Sequence, residues 1–142
     1  MKKVLVVVMI TLFTWVMAGS AYAATKCPQP RKTKSAPGGD AGKDMTAKAN
    51  KANGEKLYQK SAKPMACMQC HGKNGDGNGK LGAGLKPKPR NFTCAETMKD
   101  ISPGQMYWII KNGSPGTPMI KQMLKDNEIW DVIKYIQEDF MK

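Results

Sequence analysis

The sequence predicts an all-α domain of three to five helices. Three observations carry that prediction. Apolar residues recur at helical spacing, no alternating apolar–polar run asks for a strand, and the Gly- and Pro-rich connections are long for so small a domain. Loops of that kind commonly wrap around something. With 142 residues the chain suits one compact domain rather than two.

The elements follow in order. Lys2 and Lys3 precede an apolar run from Val4 to Ala18, and Ala21 and Ala23 stand at the small-residue positions of a cleavage site. Residues 1–23 therefore read as a secretory signal peptide cut after Ala23. The run is short for a spanning helix, so an uncleaved anchor is the second reading. Residues 24–50 are rich in Lys, Pro, Gly and Ala and poor in large apolar side chains. They offer too little apolar surface to offset ordering entropy, which predicts a flexible basic leader. The domain proper is expected at 51–142.

Its first helix is expected at about 50–61, with Leu57 and Tyr58 as the main apolar residues. The second is expected at about 103–112, with Ser102 as cap, Pro103 in the first turn and Gly113 at the end. The third is expected at about 127–141, with Asp126 as cap. Ile129, Ile133, Ile136 and Phe140 form its stripe, and Trp130 and Tyr135 widen it.

Between the first two helices stands "CMQCH", residues 67–71, with the only histidine of the chain directly behind two cysteines. A dithiol redox motif would need a βαβ pattern, which is missing. A zinc site would need four ligands, and Cys27 and Cys94 have no paired spacing to complete one. The remaining chemistry is covalent attachment of one haem c through C-x-x-C-H. Cys67 and Cys70 then bind the porphyrin, and His71 places its imidazole under the iron.

With these segments the chain resembles the small class I, mono-haem cytochromes c of bacteria, over roughly residues 50–142. "NGEKLYQKS…ACMQCHGKNGDGNG" is similar to the family's first helix, haem motif and following loop. "LKPKPRNF" is similar to its proline-rich wall, "MYWIIKNGSPGTPMI" to the helix and loop that deliver a distal methionine, and "NEIWDVIKYIQ" to its closing helix. The resemblance implies helices wrapped around a covalently bound haem. It also implies that Gly54 meets Tyr135, and that a proline carbonyl, of Pro87 or Pro89, accepts from the ring N–H of His71. The haem pocket would draw on Pro87, with Arg90, Tyr107 and Trp108 as hydrogen-bond partners of the propionates.

A single histidine excludes bis-histidine ligation within the chain. Among the methionines, Met68 lies inside the attachment turn, Met65 is too near the proximal side, and Met106 reads as core. Met119 stands in "SPGTPM", a tight loop able to hold a thioether over a metal, and the resemblance places the distal ligand there too. Ile120 stands where the family often has proline. Met123 is the fallback.

Cys27 and Cys94 are left over. In an exported chain they are expected to pair, closing a long loop worth about 2–4 kcal/mol. The chain carries a formal net charge of +12. Lys73, Lys80, Lys86 and Lys88 follow the haem motif, and Lys111 and Lys121 flank the methionine loop. As a set they would steer acidic redox proteins, one donor and one acceptor. Export and the presence of only two arginines, Arg31 and Arg90, argue against nucleic acid. No paired carboxylates or general base surround the motif, so neither catalysis nor a small-molecule substrate is expected.

The function expected is that of a soluble, monomeric, periplasmic one-electron carrier of the respiratory chain. The alternative is a cytochrome c electron-input subunit of a larger membrane-associated respiratory enzyme, with the leader as docking arm. A ligand-binding haem protein would follow if no methionine reached the iron.

Overall fold

The structure, a computed structural model, describes residues 26–30 and 33–142; the expected signal segment lies outside the described residues. Among the described residues there is no strand, and no helix is long and apolar enough to cross a membrane. The helices are α1 (Gly38–Ala41), α2 (Lys51–Lys56), α3 (Met68–His71), α4 (Ala95–Met98), α5 (Pro103–Asn112) and α6 (Asp126–Asp139). A 3-10 turn at Thr46–Lys48 precedes α2, and a π-helical turn at Leu57–Ser61 continues it. The all-α expectation holds, and the three long segments fall within two residues of their expected bounds.

α2 begins at Asn50, whose side-chain oxygen accepts from the Asn53 N–H at 3.1 Å. It packs on α6 at Gly54, where a β-carbon would overlap the backbone carbonyl of Asp131. Tyr135 is the residue expected opposite Gly54; the atoms nearest that β-carbon belong to the Asp131–Val132 backbone, one turn earlier. The Asp131 carboxylate adds a second tie. It accepts from the Asn50 N–H at 2.6 Å and from the Asn53 side chain at 2.8 Å, which pins the start of α2 over the middle of α6.

Tyr135 instead meets the π-turn. Its ring lies 5.5 Å from that of Tyr58, and its hydroxyl accepts from the Gln59 amide at 2.9 Å. Tyr58, Ile129, Val132 and Ile133 are the most deeply buried side chains. Burying each contributes about 1.5–3 kcal/mol, so the α2–α6 seam is the main stabilising contact of the fold.

α5 starts at Ser102, whose hydroxyl accepts from the Gln105 N–H at 3.1 Å, and ends at Gly113, which takes φ +82°. At α6 the cap differs from expectation. Lys125 is the flanking residue, and Glu128 reaches back to accept its N–H at 2.8 Å. Asp126 is already helical. Its charge lies at the helix N-terminus and 2.8 Å from the Lys111 ammonium.

The leader also departs from expectation, because its described part is laid along the body. Cys27 and Cys94 form a disulfide with their Cα atoms 5.7 Å apart. The buried side chain of Gln105 accepts from the Ala36 N–H at 2.6 Å and donates to the Lys34 carbonyl at 3.0 Å. Ser102 donates to the Ala41 carbonyl at 2.7 Å, and Gly104 leaves no room for a β-carbon beside the Asp40 carbonyl. A reading based on apolar area misses this segment because hydrogen bonds and a cross-link hold it.

Candidate functional site

The motif forms a single helical turn in which the His71 N–H donates to the Cys67 carbonyl at 2.9 Å. The turn stops at Gly72, which takes φ +81°. The loop after it folds back over the motif. The N–H groups of Gly77, Gly79 and Leu81 donate to the carbonyls of His71, Cys70 and Gln69 at 2.8, 3.1 and 2.8 Å. Gly79 approaches the Gln69–Cys70 backbone too closely for any side chain. The backbone N–H groups of this loop therefore satisfy the helix-end carbonyls that a one-turn helix leaves open.

Beside the motif lies an apolar cavity of about 630 Å³, a size typical of a cofactor pocket. Cys67, Cys70 and His71 line it. So do Pro87, Pro89, Arg90 and Phe92 from the wall segment, and Met106, Ile109 and Ile110 from α5. Met119 completes the lining from the following loop.

Both motif thiols are free. Burial pushes the Cys67 thiol up to about 12 and raises that of Cys70, so both stay neutral at ordinary pH. The His71 ring is buried and stacks on Phe92, with centroids 4.7 Å apart and planes 15° apart. Burial lowers its pKa and keeps the imidazole neutral. Its Nδ1 donates to the Arg90 carbonyl at 3.0 Å. A carbonyl can only accept, so the proton sits on Nδ1 and the Nε2 lone pair is left for a metal.

The acceptor for His71 is therefore Arg90, neither Pro87 nor Pro89. The Pro89 carbonyl accepts from the Gln29 side chain of the leader at 2.9 Å. Pro87 and Pro89 do line the cavity, as does Arg90, whose guanidinium donates to Thr33 Oγ1 at 2.5 Å.

Tyr107 and Trp108 do not line the cavity. α5 presents Gln105, Met106, Ile109 and Ile110 to it, and the two aromatics fall on the remaining face. Tyr107 is stacked on Trp130 of α6 at 4.7 Å, and its hydroxyl accepts from Lys111 at 2.7 Å.

The Met119 loop is closely tied. The Ser114 N–H donates to the Met119 carbonyl at 2.9 Å, and the Met119 N–H donates to Thr117 Oγ1 at 3.1 Å. Gly113 packs so near the Met119 carbonyl that a β-carbon would stand 2.8 Å from it. Met123 is 74% exposed and does not line the cavity, which separates it from Met119. Met65, Met98 and Met106 also touch the cavity.

The sequence reading missed the leader's share of the site. Lys26, Gln29, Pro30 and Thr33 line the cavity, and so does Gln105. None of them belongs to a motif or an apolar stripe, and the leftover pair Cys27 and Cys94 was the one signal that the leader returns to the domain.

Two thiols spaced within one helical turn, an imidazole with a free Nε2 and a thioether, all on one apolar cavity, fit a haem attached through its vinyl groups.

Residues 49–136 match the family model described as cytochrome C oxidase, cbb3-type, subunit III. Among solved structures, the chain is similar to one from the reducing HAO-like protein complex of Kuenenia stuttgartiensis. The TM-score is 0.52 and the identity 28%, covering 61% of this chain and 42% of that one. The chain thus spans less than half the length of that neighbour. No curated protein matches it.

Proposed function

The chain belongs to the c-type cytochrome family of that model, and from this premise we propose that it is a mono-haem electron carrier working outside the cytoplasm, with its iron held by His71 and Met119. Membership brings covalently bound haem c and electron transfer. The ligand set, the compartment and the partners are our reading.

The observation that carries this reading is that His71, Met119, Cys67 and Cys70 line one apolar cavity while Met123 points away to solvent. When bound, the haem would supply a one-electron Fe(III)/Fe(II) couple, and a thioether ligand in place of a second histidine would raise its potential. The protein's part is to hold these groups still. Cys67 and Cys70 supply the thioether links, and the Arg90 carbonyl fixes the ring of His71. Phe92 stacks on that ring, and the tied 113–119 loop holds the Met119 sulfur donor. Apolar walls keep water from the group and restrain reorganisation. If His71 and Met119 both hold the iron, no position would remain for a substrate, which supports transfer rather than catalysis.

Lys73, Lys80, Lys86, Lys88 and Lys121 are exposed, and Lys88 reaches the cavity lining. Such a set favours donor and acceptor proteins with acidic docking faces. Residues 1–23 supply the export signal in this reading, with a retained anchor as its variant.

The ferric spectrum of wild type against Met119→Ala tests the ligand set. Loss of the methionine–iron charge-transfer band is expected, and an unchanged band overturns the assignment. Rapid, complete binding of carbon monoxide by the reduced wild type would instead indicate an open position.

A second reading is an electron-input subunit within a larger respiratory assembly. It is favoured by the family's description as an oxidase subunit and by a structural neighbour that is part of a complex. Size-exclusion of native extract separates the two, because a free carrier elutes alone.

A further inference from the structure

One side chain of the leader, that of Gln29, reaches the peptide that bonds His71. Gln29 lies two residues after Cys27, which is cross-linked to Cys94. Its backbone N–H donates to Thr97 Oγ1 at 3.0 Å. Its side-chain amide spans Arg90. Nε2 donates to the Pro89 carbonyl at 2.9 Å, and Oε1 accepts from the Asn91 N–H at 2.9 Å. With a carbonyl on one side and an N–H on the other, the orientation of the amide is fixed by its partners.

The Asn91 N–H and the Arg90 carbonyl belong to the same peptide unit. In a trans peptide they point in opposite directions from one rigid plane. Gln29 therefore holds one edge of that plane, and His71 Nδ1 donates to the other at 3.0 Å. The groups form one chain: Gln29 Oε1, the Asn91 N–H, the Arg90 carbonyl, the His71 Nδ1–H. Hydrogen bonding at the amide nitrogen makes the carbonyl across the plane a stronger acceptor. A stronger acceptor draws on the Nδ1 proton and makes Nε2 a better donor to a metal.

We propose that Gln29, held in place by the Cys27–Cys94 disulfide, is a positioning residue for the metal-ligating face of His71. It acts through the Arg90–Asn91 peptide and touches neither the ring nor the cofactor. The inference rests on His71 ligating the haem, as proposed above. It gives the leader a role in setting the redox properties of a group carried some forty residues away.

The test uses the full-length, haem-loaded protein and three variants. Gln29→Leu removes both side-chain bonds. Gln29→Glu keeps an acceptor for the Asn91 N–H and loses the donor to Pro89. Ser102→Ala breaks the leader's bond at the Ala41 carbonyl, away from the cavity lining, and leaves the Arg90–Asn91 peptide alone. Exchange of the His71 Nδ1 proton is followed by NMR in the reduced state, together with the reduction potential. In Gln29→Leu, exchange should quicken about tenfold, as expected for loss of one net hydrogen bond, and the potential should rise as the imidazole donates less. Gln29→Glu should keep the slow exchange, with a potential at or below that of wild type because a carboxylate is the stronger acceptor, and Ser102→Ala should match wild type in both.

Wild-type exchange and potential in Gln29→Leu would overturn the proposal. So would equal changes in Gln29→Leu and Ser102→Ala, which would mean only that the leader had loosened. Absence of a haem-shifted His71 ring signal in the wild type would instead overturn the ligation reading, so the two failures are distinguishable.

Discussion

Asp131 holds Gly54 from two sides of its own backbone. Its carbonyl lies where a β-carbon of Gly54 would be, and its carboxylate ties down Asn50 and Asn53 in the turn just before it. The α2–α6 contact is thus a close backbone approach locked by a buried carboxylate. Gly54→Ala should push the helices apart and destabilise the protein by about 3 kcal/mol, because the overlapping atoms are main chain and cannot swing away. Denaturant unfolding of the haem-loaded protein measures this. A loss under half a kilocalorie would mean the seam is looser than described.

Met119 and Met123 stand four residues apart and differ in burial and in access to the cavity. Met119→Ala should lose the charge-transfer band and lower the reduction potential. Met123→Ala should keep both.

The Cys27–Cys94 bridge closes a loop with a sequence separation of 67. Replacing both cysteines by serine should cost up to about 4 kcal/mol of unfolding free energy. In the haem-loaded, denatured but unreduced protein all four cysteines are occupied, so thiol titration should find none free.

Exposed lysines near the cavity should speed association with an acidic redox partner. The rate should fall by about tenfold or more between low and high salt. Lys111 should matter less than Lys86 or Lys88, because Asp126 already pairs with it at 2.8 Å. A stopped-flow comparison of Lys86→Gln, Lys88→Gln and Lys111→Gln checks the ranking.

Asp126 gives a pH dependence. The hydrogen bond from Lys111, then that from Tyr107, hold its carboxyl below the ordinary value. A carboxyl depressed on folding contributes stability above its unfolded pKa, and that contribution is lost as pH falls through the folded one. Asp126→Asn should therefore melt about 1–3 °C lower than wild type at neutral pH. The two should converge in acid. The pair is exposed, which keeps the effect small.

The sequence carried the parts of the site that are contiguous in the chain. Cys67, Cys70 and His71 lie within one helical turn, so their spacing alone fixes their geometry. The place of Met119 on the cavity wall was legible because Gly116 and Pro118 mark a tight loop. α5 and α6 were legible because caps and an apolar stripe agree.

Other features depend on distant segments. The His71 acceptor is the Arg90 carbonyl, while the neighbouring Pro89 carbonyl accepts from Gln29 of the leader. Tyr107 and Trp108 face away from the cavity because Met106 and Ile110 take the inward positions, and Trp130 offers Tyr107 a stacking partner. The four-residue helices α1 and α4 are too short to show a period. The leader's attachment is polar, so an apolar count is blind to it.

The sulfur bridge also decides what a proteolytic nick would yield. Ala83 and Gly84 are exposed, and the peptide bond between them lies inside the ring that the bridge closes. A protein cut there stays a single particle on a non-reducing gel. Only after reduction does it separate, and the coloured piece is the amino-terminal one, which carries the attachment cysteines but not the proposed sulfur ligand of the iron.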